Sequence, residues 1–180
     1  MYDPIKHHRR SIRLPGYDYS QAGYYFVTIC CYQRQCLFGE IVNGKMQLNQ
    51  YGEIVKEEWL RSSIIRQEIE LDWYIVMPNH FHGIVIINSV GAKGFSPSIS
   101  RSKQSMKSKS LSSLITGFKS SVTKNINRIR HAPGTPVWQR NYYEHIIRTE
   151  ASLDRIRTYI DNNPLSWYLD QLHPHNPSKW

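Results

Sequence analysis

Two strand-like segments lie next to each other in the middle of the chain, and they constrain the fold more than any other feature. Residues 69–77 and 80–88 are rich in β-branched and aromatic side chains, and only Pro78 and Asn79 separate them. A Pro-Asn pair between two such runs is typical of a turn. Strands joined by so short a turn run antiparallel. The sequence therefore predicts an antiparallel sheet built around this pair.

The second of these strands carries two histidines at alternate positions. Successive side chains of a β-strand point to opposite faces, so His80 and His82 share one face while Phe81 enters the other. Two imidazoles on one face can bind a common metal ion, although a complete site needs three or four ligands. Histidines on strands are also often surface or hydrogen-bonded residues. A third ligand must therefore come from elsewhere in the chain.

The other segments alternate between strand and helix patterns. A β-rich run covers residues 24–32, and Asn43-Gly44 is a strong hairpin signal between residues 37–42 and 46–48. Residues 142–148 also look extended. The predicted helices are residues 49–66 after an Asn49 cap, 111–130 with apolar residues at helical spacing, and 149–163 after a Thr149 cap. A chain of 180 residues with this pattern is expected to form a single domain, residues 1–180.

The positive charge of the chain is concentrated in its middle. The net charge is +9, and between Trp73 and Tyr143 there is no Asp or Glu but ten basic residues. Within this span, residues 89–110 hold eight serines and five basic residues, which predicts a mobile basic loop. A long stretch without acids creates the positive potential that binds phosphate backbones. Nucleic acid is favoured over a membrane, because no Trp- or Phe-rich insertion face accompanies the charge.

Other features indicate a cytoplasmic protein. No apolar run approaches the roughly 20 residues that span a bilayer, and residues 1–13 are too polar for a signal peptide. The three cysteines are odd in number and lack a metal-binding spacing, as expected in a reducing compartment.

The last predicted helix carries a second group of candidate site residues. Tyr159 and Asn163 are four residues apart and therefore lie on one helix face. Asn163 offers a carbonyl oxygen to a hard cation, and Tyr159 offers a hydroxyl that can attack phosphorus. The alternative is a packed tyrosine followed by a helix-ending Asn-Pro. Because Asn163 precedes Pro164, helical geometry is disfavoured there.

Together these blocks resemble the IS200-like single-tyrosine transposases, and most closely the REP-associated tyrosine transposase branch. His80-Phe81-His82 is similar to the His-hydrophobe-His signature of that family, and residues 159–164 are similar to its nucleophile helix. Residues 138–148 match a similar Trp-Gln-x-x-x-(aromatic)-x-His-x-Ile-Arg block. A Tyr-Ile-x-x-Asn-Pro block that ends near a Trp is also similar, and here the Trp is Trp167. With it, the resemblance runs from about residue 9 to residue 167 in four blocks, which follow one another in the correct order.

The resemblance implies a fold and a chemistry. The fold would be α+β, a ferredoxin-like sandwich with an antiparallel sheet of four to five strands and helices packed on one face. The activity would be metal-dependent cleavage and rejoining of single-stranded or hairpin DNA through a 5′-phosphotyrosine. Tyr159 would be the nucleophile, and His80, His82 and Asn163 would bind Mg²⁺ or Mn²⁺. The protein would act as a monomer or homodimer.

Further residues receive supporting roles. The basic residues expected to contact DNA are Lys119, Lys124, Arg128 and Arg140, with residues 89–110 closing over the backbone and Lys6, Arg9, Arg10 and Arg13 reaching a hairpin. Glu144 and His145 are similar to an acidic-His pair of the family and could orient a metal ligand. Residues 168–180 are expected to form a C-terminal tail.

Two other functions remain open from the sequence. One is a hairpin-binding protein without catalysis, in which His80, His82 and Tyr159 only pack. The other is a zinc-dependent hydrolase that uses His80, His82 and a third histidine or carboxylate. The first predicts binding without a covalent adduct, and the second predicts activity that survives Tyr159→Phe.

Overall fold

A computed structural model describes residues 17–88 and 109–176 of the chain. The strands are β1 (Gly23–Cys30), β2 (Gly39–Val42), β3 (Lys45–Leu48), β4 (Ile69–Val76), β5 (His80–Ile87) and β6 (Tyr143–Ile147). The helices are α1 (Gln50–Ile65), α2 (Leu111–Ile129) and α3 (Glu150–Asn162). Two short 3₁₀ turns follow β1 and α3, at Tyr32–Arg34 and Trp167–Leu169. Most of the predicted loop (residues 89–108) and the basic N-terminal residues lie outside the described residues.

Four strands form one antiparallel sheet in the order β4-β5-β1-β6. If the β2–β3 hairpin is set aside, the chain order is β1-α1-β4-β5-α2-β6, which is the βαββαβ pattern of ferredoxin-like folds. The predicted α+β class and the antiparallel sheet are confirmed. The β2–β3 hairpin forms a separate two-stranded sheet.

The main core lies between the sheet and helices α1 and α2. Alternate residues of β1 (Tyr25, Val27 and Ile29) point into it and are fully buried. The Trp59 ring of α1 packs 4.6 Å from the Phe81 ring of β5, measured between centroids, and 5.3 Å from Phe118 of α2. These aromatic contacts fix the two helices against one face of the sheet.

The opposite face of the sheet is covered by α3. Phe26, Ile84 and Ile147 project from this face and pack against Leu153 and Ile160 of α3. The prediction of helices on one face therefore holds for α1 and α2, whereas α3 crosses the other face. The reason is that α3 follows β6 after only two residues and has its own apolar stripe to bury.

The predicted helix starts coincide with capping side chains. The Asn49 side chain accepts hydrogen bonds from the Tyr51 and Gly52 amides, and Thr149 accepts one from the Ser152 amide. Ser110 and Ser113 form a reciprocal capping box at the start of α2. Within residues 17–88 and 109–176, none of the helices has both the length and the apolar character needed to cross a membrane.

Candidate active site

The His80 and His82 side chains lie together on the α3 face of the sheet. Both are buried, and their ring centroids are 4.6 Å apart. They lie in register with Cys30 and Thr28 of β1, in the middle of the sheet. The strand pattern predicted this shared face, and the burial shows that the two rings are not simple surface histidines.

Hydrogen bonds hold the Nδ1 atoms of both rings. His80 Nδ1 is 2.8 Å from Asn79 Oδ1, and the Asn79 amide is oriented because its nitrogen donates to the Arg34 and Leu172 carbonyls. His82 Nδ1 is 2.8 Å from Thr28 Oγ1. An Nδ1–H that donates to these oxygens leaves the Nε2 lone pair available on each ring.

Burial favours the neutral form of both imidazoles. Burial lowers the pKa of His80 to about 4, although Asp170 and Asn163 oppose the shift. Burial and the adjacent His80 hold the pKa of His82 well below its ordinary value. Neutral imidazole is the form that binds metal ions.

Tyr159 of α3 lies directly beside this pair. Its hydroxyl is 3.3 Å from His82 Nε2, and the ring packs edge-on against Phe26. The side chain is 45% exposed, so it can be reached from solvent. Burial, reinforced by the charge of Asp170, raises the pKa of Tyr159 to about 12, while Asn163 acts in the opposite direction. The structure thus brings the predicted nucleophile to the predicted metal ligands.

Asn163 completes the predicted set. It is buried at the end of α3, and it keeps helical backbone angles (φ −58, ψ −43) although Pro164 follows. Its amide nitrogen donates to Asp170 Oδ2 at 3.4 Å. The Asn163 Oδ1 and His80 Nε2 atoms are buried and have no hydrogen-bond partner among residues 17–88 and 109–176. Buried polar atoms without partners are costly unless a ligand occupies them, so both fit a metal ion as its ligand atoms.

Asp170 is a site residue that sequence reasoning missed. Its carboxylate lies 3.9 Å from His80 Nε2 and is 5% exposed. His80, His82 and Asp170 offer one ligand atom each, all within 4.8 Å of one another. The only sequence signal is weak: Asp170 is the single carboxylate residue after Pro164.

Asp170 belongs to the segment predicted as a C-terminal tail. The described part of that segment, residues 168–176, folds back toward the site. Arg34 Nη1 donates to the carbonyls of Gln171, His173 and Asn176 at 3.2–3.4 Å. The Leu172 amide donates to Asp170 Oδ1 at 2.7 Å and so fixes the carboxylate.

One known protein is similar in sequence to nearly the whole of this chain. The chain is 44% identical over 176 residues to an uncharacterized protein of Haemophilus influenzae (strain ATCC 51907 / DSM 11121 / KW20 / Rd), covering 96% of this chain and 97% of that one. The chain belongs to the same family as that protein. No protein-family model matches the chain.

Among solved structures, the chain is similar to a REP-associated tyrosine transposase bound to a REP hairpin. The TM-score is 0.60 at 18% identity, and the match covers 87% of this chain and 74% of that chain. The chain therefore has the fold of the REP-associated tyrosine transposases. This confirms at the level of the fold the resemblance carried by the His80-Phe81-His82 and Tyr159–Asn163 blocks.

The two residues predicted to orient a ligand lie on different faces of the sheet. Glu144 pairs in register with Val27 and is buried on the α1–α2 face, opposite His80 and His82. The sheet separates its carboxylate from both rings. His145 pairs with Phe26 on the site face and is exposed. The alternation along β6 explains the difference, because neighbouring residues of a strand cannot share a face.

A groove of about 520 Å³ is lined by residues of α2 and of the segment that follows it. Lys119, Lys124 and Arg140 lie along it, together with residues 134–139. Lys119 donates to the carbonyls of Gln139, Arg140 and Asn141, and burial lowers its pKa to about 8. Lys119 therefore holds this loop in place, whereas Lys124, Arg128 and Arg140 are exposed. The Gln139 amide donates to the Cys30 carbonyl, and Cys30 is the register partner of His80.

Proposed function

We propose that this protein is a metal-dependent tyrosine transposase that cleaves and rejoins single-stranded or hairpin DNA through a 5′-phosphotyrosine. The observation that carries the proposal is the Tyr159 hydroxyl, 3.3 Å from His82 Nε2 and beside His80 Nε2 and Asn163 Oδ1, which are buried without a partner in the described part of the chain. A nucleophile adjacent to a cluster of potential ligand atoms is the arrangement that metal-assisted phosphoryl transfer requires.

His80, His82 and Asn163 would hold Mg²⁺ or Mn²⁺, with Asp170 as a further oxygen ligand. Two neutral imidazoles with amide and carboxylate oxygens suit Mn²⁺, and the oxygen atoms suit Mg²⁺. When bound, the cation would polarise a phosphate oxygen and offset the charge that develops on it. The Nδ1 contacts from Asn79 and Thr28 keep both histidine rings oriented for this purpose.

In the cleavage step the Tyr159 oxygen forms a bond to phosphorus, and the bond from phosphorus to the 3′ oxygen of the preceding nucleotide breaks. The phenol proton leaves to water on the exposed side of Tyr159, and the 3′ oxygen takes up a proton from water. The products are a 5′-phosphotyrosine and a free 3′-hydroxyl. Because the covalent link retains the phosphodiester energy, the reverse attack by a 3′-hydroxyl rejoins a strand without ATP.

DNA as the substrate is supported by the charge of the chain. The exposed Lys124, Arg128 and Arg140 lie in the acid-free span between Trp73 and Tyr143. One solved structure of similar fold is that of a REP-associated tyrosine transposase bound to a REP hairpin. In this chain Tyr159 reaches His82 of the same polypeptide, so one copy suffices for cleavage whether the protein is a monomer or a homodimer in the cytoplasm.

The test is a search for a covalent adduct. The protein is incubated with Mg²⁺ or Mn²⁺ and a labelled DNA hairpin that carries a single-stranded flank, then analysed on a denaturing gel. We expect an adduct with the wild type and with Tyr168→Phe, a control at an exposed tyrosine near the site. Tyr159→Phe and His80→Ala should give none while still binding the hairpin. An adduct that persists in Tyr159→Phe would refute the assignment of the nucleophile.

A zinc-dependent hydrolase is the second candidate, and one observation favours it. Asp170 supplies the carboxylate that this alternative requires beside His80 and His82. It predicts zinc that copurifies with the protein and hydrolysis that survives Tyr159→Phe. A binding protein without catalysis instead predicts hairpin binding with no adduct in the wild type.

A further inference from the structure

Strand β4 carries a bulge that directs two side chains toward α3. Leu71 pairs with Val85 and Tyr74 with Gly83, so Asp72 and Trp73 together lie opposite the single residue Ile84. A bulge of this kind inserts one extra residue and changes the direction of side chains. β4 is also an edge strand of the four-stranded sheet, so these side chains can extend past it.

Asp72 forms an ion pair with Arg157 of α3. Arg157 Nη2 lies 2.7 Å and Nε 3.2 Å from Asp72 Oδ2, so two donors converge on one oxygen. The Asp72 side chain is only 7% exposed. Charge-assisted contacts with a buried carboxylate have a narrow geometry, unlike most surface ion pairs.

Trp73 makes the second connection. Its Nε1–H donates to the Asp161 carboxylate, with both oxygens at 3.1 Å. The Arg157 guanidinium lies over the Trp73 ring, 5.0 Å from its centroid. Trp73 therefore contacts one α3 residue with its ring face and another with its ring edge.

The two α3 residues bracket the nucleophile. Arg157 lies two positions before Tyr159 and Asp161 two positions after it. The apolar anchoring of α3 rests on a short stripe of three residues, of which Leu153 and Ile160 are buried and Ile156 is partly buried. A helix held by so few apolar contacts needs polar contacts to fix its rotation and position along the sheet.

We propose that Asp72, Trp73, Arg157 and Asp161 form a latch, the β4–α3 latch, that positions the Tyr159 hydroxyl for attack. The four residues are positioning residues, because they reach the reacting atoms only through the α3 backbone. The inference rests on the proposed function. The latch fixes the distance between the phenol and the two histidine rings, and the preorganised distance sets the rate of the covalent step.

The chain offers a matched pair of variants for the test. Asp72 and Asp154 both form ion pairs with Arg157, but Asp154 is 65% exposed and contacts Nη1 at 3.4 Å. Displacements of about 1 Å at a reacting group can cost on the order of 100-fold in rate. We expect Asp72→Asn to lower the rate of adduct formation at saturating DNA about 10- to 100-fold. The dissociation constants for hairpin DNA and Mn²⁺ should stay within about twofold of the wild type, and Asp154→Asn should match the wild type in all three measurements.

Two further results show whether the latch residues position Tyr159 or only stabilise the fold. Trp73→Phe, which keeps the ring but loses the donor to Asp161, should slow the same step without changing DNA binding. Equal rates of adduct formation in Asp72→Asn and Asp154→Asn would refute the latch. The latch would also be refuted if weaker DNA binding were the only effect of Asp72→Asn.

A readout that needs no activity separates this inference from the proposed function. Hydrogen exchange of the α3 amides around residues 157–161 should be faster in Asp72→Asn than in Asp154→Asn, with α1 and α2 unchanged. Equal exchange in the two variants would refute the latch. If the wild type forms no adduct while this difference is present, the proposed function fails and the structural connection stands.

Discussion

Thr28 shows how a single hydroxyl sets the chemistry of the candidate site. It lies on β1 in register with His82, and its Oγ1 holds His82 Nδ1 at 2.8 Å. Both groups are buried, so the contact is not shared with bulk water. The hydroxyl therefore keeps the ring oriented with Nε2 toward Tyr159, which is the orientation that metal binding requires.

Replacing Thr28 by valine should weaken metal binding without unfolding the protein. Valine keeps the shape of threonine but cannot hydrogen bond to Nδ1, so the ring loses its orientation. Loss of such a supporting contact typically costs about 10- to 100-fold in metal affinity. Titration calorimetry with Mn²⁺ measures the change. Thr158→Val is the control, because that exposed hydroxyl bonds only to the Asp154 carbonyl among the contacts described. Equal affinities in the two variants would contradict the role of Thr28.

Strand β5 serves the site and the core at the same time. Its even-numbered residues His80, His82 and Ile84 face α3, whereas Phe81, Gly83 and Val85 face α1 and α2. Gly83 lies against the Trp59 ring, where a Cβ atom would come within 2.7 Å of Trp59 Cζ2 and 2.8 Å of Phe81 Cε1. Strand β5 and helix α1 can therefore approach this closely only because Gly83 has no side chain.

Gly83→Ala should destabilise the fold by about 1–3 kcal/mol, because the added methyl group overpacks a rigid aromatic cluster. Gly117→Ala on the exposed side of α2 is the matched control, since the nearest atom to its added Cβ is Arg66 Nη2 at 3.9 Å. That change should stabilise the protein by about 0.5–1 kcal/mol, because alanine is the better helix former. Thermal or denaturant unfolding measures both. Opposite signs are expected, and a Gly83→Ala protein as stable as the wild type would contradict this account of the packing.

At the scale of the whole molecule, some basic residues in the middle of the chain form structural hydrogen bonds, whereas others are exposed. Lys119 is held by three backbone carbonyls, and Arg130 donates to Asn127 and to the Thr135 carbonyl. Lys124, Arg128 and Arg140 remain exposed, and Lys124 and Arg140 line the same groove. Of the four basic residues predicted to contact DNA, these three have side chains exposed enough to approach a phosphate backbone.

Replacing Lys124, Arg128 and Arg140 together by glutamine should weaken hairpin binding and lower its salt dependence. Each phosphate contact contributes about 0.7–0.9 to the slope of log affinity against log salt, so the slope should fall by about 2 to 3. Fluorescence anisotropy over a salt series measures it. The control is the triple replacement of Lys45, Lys56 and Arg61 by glutamine, which removes the same charge from β3 and α1. Equal slopes in the two triple variants would show that net charge alone governs binding.

Much of the fold follows from local patterns in the sequence. The two β-rich runs and the Pro-Asn turn of residues 69–88 predict the β4–β5 pair. Asn49 and Thr149 mark the starts of α1 and α3 because their side chains cap free amides. The same local rules place His80 and His82 on one face, and Tyr159 and Asn163 one turn apart. These features depend on neighbours within a few residues, so the sequence alone determines them.

Other features depend on contacts between distant parts of the chain, and only the tertiary structure decided them. The crossing of α3 over the second face, the return of Asp170 to His80 and the placement of Glu144 behind the sheet follow from strand register and from which apolar surfaces bury each other. No spacing within one segment encodes such pairings. Lys119 and Lys124 look alike in sequence, and only the carbonyls folded around Lys119 separate a structural lysine from one exposed to solvent.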